Sequence, residues 1–241
     1  MTTTVIEVKD LVKKFGSFVA NDRLNFKVYK GEIFGFLGAN GAGKTTAMRI
    51  LCGLSSPTSG EIMVGGFDGY TQTELIKRNI GYMSQKFSLY EDMTVAENIR
   101  FYAGIYGMTV KKRKQKEEVL LQKLQLQDER KKLIASLPLG WKQKLAFSIA
   151  VLHDPQIVFL DEPTGGVDPI TRRQFWDLIY EAAAEGKTIF VTTHYMDEAE
   201  YCNRVSIMVD GRIAVLDTPE NLKKRYQSEN MNDVFLKIAR G

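Results

Sequence analysis

Cysteine is nearly absent from this sequence, with only Cys52 and Cys202 among 241 residues. The two lie far apart, and neither belongs to a paired spacing of the kind that holds a metal ion. This scarcity argues against a disulfide framework and against a structural zinc site. A reducing compartment such as the cytosol is expected.

Long apolar runs are missing as well. A helix that crosses a bilayer needs about 18 apolar residues, whereas the apolar stretch Gln156 to Leu160 is bounded at once by Pro155 and Asp161. The first ten residues carry charges where an export signal needs an unbroken apolar segment. We therefore predict neither an export signal nor a membrane-spanning helix, and expect any membrane path to belong to another chain.

What is present is typical of one globular α/β domain over residues 1–241, with 44% hydrophobic and 26% charged residues. The net charge of +4 suits an anionic ligand, a membrane surface or nucleic acid without choosing among them. Short β-rich segments at Val5 to Val8, Asn25 to Val28 and Glu61 to Val64 lie near glycine turns. They predict a small antiparallel lobe.

Strands and helices alternate in the remainder of the chain. Strand Glu32 to Leu37, a glycine loop and helix Thr45 to Leu51 form a strand-loop-helix unit. Strands Gln156 to Leu160 and Thr188 to Thr193, separated by helix Thr171 to Glu185, predict a parallel sheet. Residues from about 94 to 153 read as a helical lobe, residues 205–216 as a hairpin, and the tail from 218 as helical.

The glycine loop has the spacing of a phosphate-binding loop, with two glycines, a lysine and a hydroxyl residue. The residues concerned are Gly38, Ala39, Asn40, Gly41, Ala42, Gly43, Lys44, Thr45 and Thr46. Small residues let backbone N–H groups close around phosphates, and the following helix adds its positive end. Lys44 would meet the β and γ phosphates and Thr45 would ligate Mg²⁺. The alternative is a glycine-rich turn without function, which the position between strand and helix disfavours.

Two carboxylates and a histidine follow the later strands. Asp161 ends one strand, where it could hold Mg²⁺, and the adjacent Glu162 could orient or deprotonate a water. His194 follows the strand Thr188 to Thr193, at the edge where open α/β sheets bind ligands. Taken singly, an Asp-Glu pair is more often a solvated strand end, and a lone histidine is usually structural. Their occurrence together with the glycine loop favours a catalytic site.

At this point the whole chain resembles the nucleotide-binding domain of an ATP-binding cassette (ABC) transporter. The resemblance identifies Glu162 as the catalytic carboxylate and His194 as the switch histidine. Gln85, in the segment Tyr-Met-Ser-Gln, matches the Q-loop contact to Mg²⁺ and water, and Asp168, in Gly-Gly-Val-Asp, matches the D-loop. The implied fold is a P-loop NTPase core resembling RecA, with an antiparallel β lobe and an α-helical lobe.

Two further assignments depend on the same resemblance. Phe15, ahead of the glycine loop, takes the place of the aromatic residue that stacks on adenine, although a core aromatic would look the same in sequence. The signature segment, usually Leu-Ser-Gly-Gly-Gln, is here Leu-Pro-Leu-Gly-Trp at 137–141. Pro138 offers neither hydroxyl nor N–H, which leaves Gly140, Trp141 and the helix N-terminus as donors to the γ phosphate of an opposite subunit.

Two surface features remain without an assigned role. The cluster Lys111 to Lys114 with Lys116 could meet anionic lipid or an acidic loop of a membrane subunit, or could be a solvated helix face. The aromatic stretch Tyr90 to Tyr106 borders, by resemblance, the groove that receives a helix of the membrane subunit. Sequence does not separate groove from core there.

The resemblance implies a cytoplasmic ATPase subunit, peripheral on the inner face of the cell membrane, with ATP and Mg²⁺ as cofactors. Its implied partners are a transmembrane permease, of the ABC-2 exporter type, and a second cassette that is identical, different or in tandem. Contact with the membrane would run through the permease, and no nucleic acid is expected. One alternative is a cassette that acts on ribosomes or DNA, but the sequence contains neither the long coiled coil nor the zinc-binding cysteines expected of such a protein. The other alternative is a sensor that binds ATP without hydrolysis. The presence of Glu162 and His194 argues against the sensor.

Overall fold

The computed structural model describes residues 3–86 and 89–240, which form two sheets and eight α-helices. The strands are β1 (Thr4–Phe15), β2 (Phe18–Tyr29), β3 (Ile33–Gly38), β4 (Ser59–Val64), β5 (Phe67–Asp68), β6 (Ile80–Met83), β7 (Ile157–Asp161), β8 (Thr188–Thr193), β9 (Arg204–Val209) and β10 (Arg212–Asp217). The helices are α1 (Lys44–Leu51), α2 (Thr73–Asn79), α3 (Val95–Ile105), α4 (Val110–Lys123), α5 (Leu139–Ala150), α6 (Pro169–Ala184), α7 (Pro219–Arg225) and α8 (Met231–Arg240).

The central sheet has the strand order β10-β9-β3-β8-β7-β6 and is parallel except for β10. Phe34 pairs with Phe190, and Val158 pairs with Ile189. Every residue of β3, β7 and β8 is buried, as expected for parallel strands covered on both faces. The predicted parallel sheet and the predicted hairpin, now β9 and β10, are confirmed.

The second sheet has the order β2-β1-β4-β5 and is antiparallel, which confirms the predicted antiparallel lobe. Its first two strands are much longer than the segments that the sequence marked. Asp10 has a left-handed backbone (φ +48°), and the pairing with β2 shifts register between Val8 and Leu11. This bulge breaks the period-two alternation, so the sequence pattern ends at Val8 while the strand continues to Phe15.

Apolar side chains fill the space on both sides of the central sheet. Phe34, Phe36 and Phe190 face the antiparallel sheet and pack with Phe26, at distances of 5.5 to 6.1 Å between its ring centroid and theirs. On the other face, helices α5 and α6 cover the sheet with buried aromatics that include Trp176. The central strands β3, β7 and β8 are therefore held between two packed layers.

The helices α3, α4 and α5 fall within the stretch predicted as helical and share a third cluster of buried residues. Thr94 and Glu97 start α3 with a reciprocal capping box, and Asp168 caps α6 with Pro169 in its first turn. Within residues 3–86 and 89–240, no helix is both long enough and apolar enough to cross a bilayer.

Candidate functional site

The phosphate-binding loop lies between β3 and α1, at the carboxyl edge of the central sheet. Gly43 precedes α1 with φ +98°, and a Cβ there would come within 2.3 Å of the carbonyl oxygen of Ala20. Only glycine allows this close approach of the loop to β2. The spacing of the motif is thus explained by backbone packing in this fold.

Lys44 lies inside this loop, with only 4% of its side chain exposed. Its Nζ donates to the carbonyl oxygens of Gly38 at 2.8 Å and Ala39 at 3.1 Å, and lies 3.3 Å from Glu162 Oε1. A buried ammonium group held by carbonyls and one carboxylate is a strong point charge for a phosphate chain.

Oxygen atoms suited to Mg²⁺ lie next to the lysine. Thr45 Oγ1 donates to Asp161 Oδ1 at 3.1 Å, and Thr192 Oγ1 donates to the same oxygen at 2.6 Å. Burial raises the pKa of Asp161, while the hydrogen bonds from Thr192 and Thr45 act in the opposite direction. A hydroxyl and a carboxylate side by side are the hard donors that Mg²⁺ prefers. The residues present therefore fit the metal.

Glu162 is where the separate motifs meet. Its Oε2 lies 3.0 Å from His194 Nδ1 and accepts from Gln85 Nε2 at 3.2 Å, while Oε1 faces Lys44. The backbone N–H of Glu162 donates to the carbonyl of Thr192, and its φ of +47° is a left-handed conformation that few non-glycine residues adopt. This bend turns the buried carboxylate from the strand towards the phosphate-binding loop.

Gln85 lies in a turn two residues after β6, not at the strand end itself. It is exposed, and its amide nitrogen faces Glu162. The amide oxygen is the atom of this side chain that could ligate a metal.

The aromatic residue assigned to adenine is not a core residue. Phe15 is 55% exposed at the end of β1, with Lys13 Nζ 4.8 Å from its ring centroid. Its cross-strand partner is Phe18, which is 63% exposed. The alternative that Phe15 packs in the core is therefore wrong.

A cleft of about 470 Å³ surrounds the phosphate-binding loop. It is lined by the loop residues together with Phe18, Ala20, Gln85 and Glu162. Phe18, rather than Phe15, is the aromatic side chain in this lining. Sequence reasoning missed it, because only the cross-strand pairing brings residue 18 beside residue 15 and over the loop.

The signature segment forms the start of α5, with Pro138 in the capping position and no side-chain cap. The N–H of Trp141 donates to the Pro138 carbonyl at 3.0 Å. Trp141 was predicted as a backbone donor to phosphate; within this chain its amide is engaged in the first turn of α5, and its contact to phosphate stays a prediction. Across the part of the chain that the structure describes, the amides of Leu139 and Gly140 have no acceptor, as expected for the first positions of a helix.

Asp168 is engaged locally. Its carboxylate caps α6 by accepting from the amides of Ile170 and Thr171, both at 3.0 Å, and from Thr171 Oγ1 at 2.6 Å. The Thr171 hydroxyl is the main reason that the pKa of Asp168 is lowered. This carboxylate is therefore engaged in starting α6, directly after the rest of the D-loop segment.

A second cleft, of about 350 Å³, contains Leu139, Gly140, Trp141 and Asp168. It has no lining residue in common with the cleft around Lys44. Within one chain the structure therefore does not bring these predicted nucleotide contacts to the phosphate-binding loop, since Gly140, Trp141 and Asp168 lie on α5 and at the start of α6. It does bring together Lys44, Thr45, Gln85, Asp161, Glu162 and His194.

The aromatic stretch of the helical lobe is partly surface. Tyr90 and Phe101 pack edge to face at 4.8 Å between centroids, and both are exposed. Tyr102 packs against Phe101 and is half-buried. The stretch thus contributes to both core and surface, which the sequence could not separate.

Known proteins resemble this chain over almost its whole length. The sequence profile of the family described as ABC transporter matches residues 21–165. The chain is 46% identical over 236 residues to the probable multidrug ABC transporter ATP-binding protein YbhF of Escherichia coli (strain K12), covering 98% of this chain and 41% of that protein. It is 42% identical over 222 residues to the retinal-specific phospholipid-transporting ATPase ABCA4 of Bos taurus, covering 91% of this chain and 10% of that protein.

Solved structures agree with these relatives. The ATP-binding subunit of an ABC transporter superposes with a TM-score of 0.86 at 27% identity, covering 97% of this chain and 99% of that one. A dimeric ATP-binding cassette in a post-hydrolysis state, bound to ADP and Pi, superposes with a TM-score of 0.80 at 25% identity, covering 88% and 98%.

Proposed function

This chain belongs to the ABC transporter family, and from that membership we propose that it hydrolyses ATP to drive a separate transmembrane exporter. It is an ATP-binding cassette with an α/β ATPase fold. The observation that carries the proposal is the convergence on Glu162 of Lys44, Gln85 and His194 within 3.3 Å. A buried carboxylate beside the cation of a phosphate-binding loop can act on a water near the terminal phosphate.

Each residue of the cleft has a task in this proposal. Lys44 neutralises the β and γ phosphates, and Glu162 takes a proton from the attacking water or orients it. His194 holds the Glu162 carboxylate through Oε2, whereas Lys44 contacts Oε1. When bound, Mg²⁺ supplies charge neutralisation at the phosphates, and Thr45 and Asp161 would hold it.

The separation of the two clefts supports a function in which two cassettes act together. The second cleft offers the amides of Leu139 and Gly140, beside Asp168, but no lysine of a phosphate-binding loop. We propose that it closes on the ATP held by another cassette, as suggested by the dimeric state of a structural neighbour. That cassette is an identical chain, a different one or a tandem repeat.

The relatives named above suggest which transport partner this chain has. We propose a permease of the ABC-2 exporter type that holds this chain at the cytoplasmic face of the membrane, in accord with the multidrug transporter named above. The chain spans less than half of that protein, so the remaining parts of such a system are also proposed.

The test of the function is release of phosphate from ATP by the purified chain, with Mg²⁺ and with a chelator. Tight ATP binding without any phosphate release would favour the sensor instead.

Replacing Phe15 or Phe18 by alanine is expected to weaken ATP binding by about 1 to 3 kcal/mol each, because a base loses an aromatic partner. Both rings are exposed, so folding stability should change little. Titration with ATP and with inorganic tripolyphosphate separates base contacts from phosphate contacts. Equal losses for both ligands, or a lower melting temperature with unchanged ATP affinity, would refute the aromatic assignment.

The altered signature is expected to weaken ATP-dependent association of the isolated chain. Pro138 lacks a donor, and Leu139 puts a side chain that is 40% exposed into the second cleft. Losing one hydrogen bond to a charged group costs about 1.5 to 3 kcal/mol. In a Glu162→Gln background, we expect a monomer with ATP and a dimer once Pro138→Ser and Leu139→Gly are added.

Light scattering with and without ATP measures this association. Adding Lys44→Ala to the strengthened variant is the control, because it removes the nucleotide that bridges the two chains and should return the monomer. A tight ATP dimer before the signature is changed would mean that the amides of Leu139 and Gly140 suffice.

A further inference from the structure

The turn between α3 and α4 exposes an unusual combination of side chains. Ile105 ends α3 and is 61% exposed, and Val110 begins α4 and is 68% exposed. Gly107, with φ +71°, reverses the chain between them. We call residues 105–114 the α3–α4 tip. Two branched apolar side chains so exposed gain free energy when an apolar phase covers them.

Three lysines follow Val110 within the first five residues of α4. Lys111, Lys112 and Lys114 are all exposed, and among the described residues no carboxylate lies within ion-pair distance of them. The acidic residues further along α4 are already occupied, since Glu117 pairs with Arg100 and Arg130. These three lysines therefore have no ion-pair partner within residues 3–86 and 89–240.

The position of the lysines in the helix adds to this imbalance. The first turn of α4 contains no acidic residue. Cations there face the positive end of the helix dipole, an arrangement that weakens the helix unless an anionic surface lies opposite. If this helix face were only solvated, neither the lysines at the positive end of the dipole nor the exposed side chains of Ile105 and Val110 would stabilise the protein.

We propose that the α3–α4 tip contacts an anionic lipid surface directly, with Ile105 and Val110 among the headgroups and the lysines on their phosphates and carboxylates. Exposed apolar residues flanked by lysines are the pattern of interfacial membrane contacts. An acidic peptide would satisfy the lysines but would leave the two apolar side chains without a partner. The inference rests on the proposed function, which brings the cassette to the membrane, and adds a contact that the permease does not mediate.

Co-sedimentation with lipid vesicles tests the contact, using the whole chain without nucleotide. We expect binding to vesicles of phosphatidylcholine mixed with phosphatidylserine, little binding to phosphatidylcholine alone, and loss of binding at high salt. Changing Lys111, Lys112 and Lys114 to glutamine should lower the partition coefficient by about 100-fold, at roughly fivefold per lysine. Lys30, Lys77 and Lys131 changed to glutamine give a control of equal net charge.

The apolar part is tested separately. Ile105→Ser with Val110→Ser should reduce binding at constant charge, whereas Val119→Ser, on an exposed position of the same helix, should not. ATP binding by each variant, measured without vesicles, verifies the fold and tests the proposed function independently. Absence of binding to the anionic vesicles at low salt, equal effects of the lysine control, or competition by polyglutamate with no role for Ile105 and Val110 would overturn the inference.

Discussion

Glu162→Gln is expected to lower steady-state phosphate release by about 100-fold or more, while ATP still binds. General-base catalysis contributes about 100-fold to 10,000-fold in rate, and an amide cannot take the proton. The change also removes a negative charge 3.3 Å from Lys44, so the triphosphate meets less repulsion and its affinity should not fall.

The measurement is release of phosphate at saturating ATP, paired with an ATP titration of the same preparation. Glu91→Gln is the matched control, because it removes a carboxylate from a surface pair with Lys142 and should leave turnover unchanged. Turnover in Glu162→Gln equal to that of the parent would show that another group activates the water.

Lys44→Ala should weaken ATP binding by about 100-fold or more. The ammonium group is the buried cation of the loop, and each charge-assisted hydrogen bond to phosphate is worth about 1.5 to 3 kcal/mol. Titration calorimetry or a fluorescent ATP analogue measures the loss. Equal affinity in variant and parent would contradict the phosphate-binding loop.

A control is needed because Lys44 also pairs with a buried carboxylate. Its removal leaves Glu162 without a cation, so some loss of stability is expected. A melting curve recorded without ATP measures this loss of folding stability. Lys30→Ala, which removes an exposed lysine, should change neither melting nor ATP affinity.

Local patterns were sufficient for much of the fold. The apolar run before the glycine loop and the run Thr188 to Thr193 marked central strands, and β8 has those same bounds. Long β1 was not predictable from alternation, because the bulge at Asp10 interrupts the period. A register shift depends on the partner strand, which a local pattern does not contain.

The site was predictable in its residue types and less so in its contacts. The contact between Lys44 and Glu162 joins residues far apart in sequence, and the left-handed backbone of Glu162 that creates it has no local signal. Thr192, which binds both Asp161 and the Glu162 amide, was missed although it lies only two residues before His194. The engaged amide of Trp141 follows from the tight first turn of α5, which the segment Pro-Leu-Gly-Trp did not reveal.

The most direct test is the identity of the nucleotide on the protein after a single turnover. With the chain in excess over ATP and Mg²⁺ present, the reaction is quenched and the nucleotides are separated. The account predicts ADP and phosphate from the parent, intact bound ATP from Glu162→Gln, and no bound nucleotide from Lys44→Ala. Equal amounts of ADP from the parent and from Glu162→Gln would contradict it.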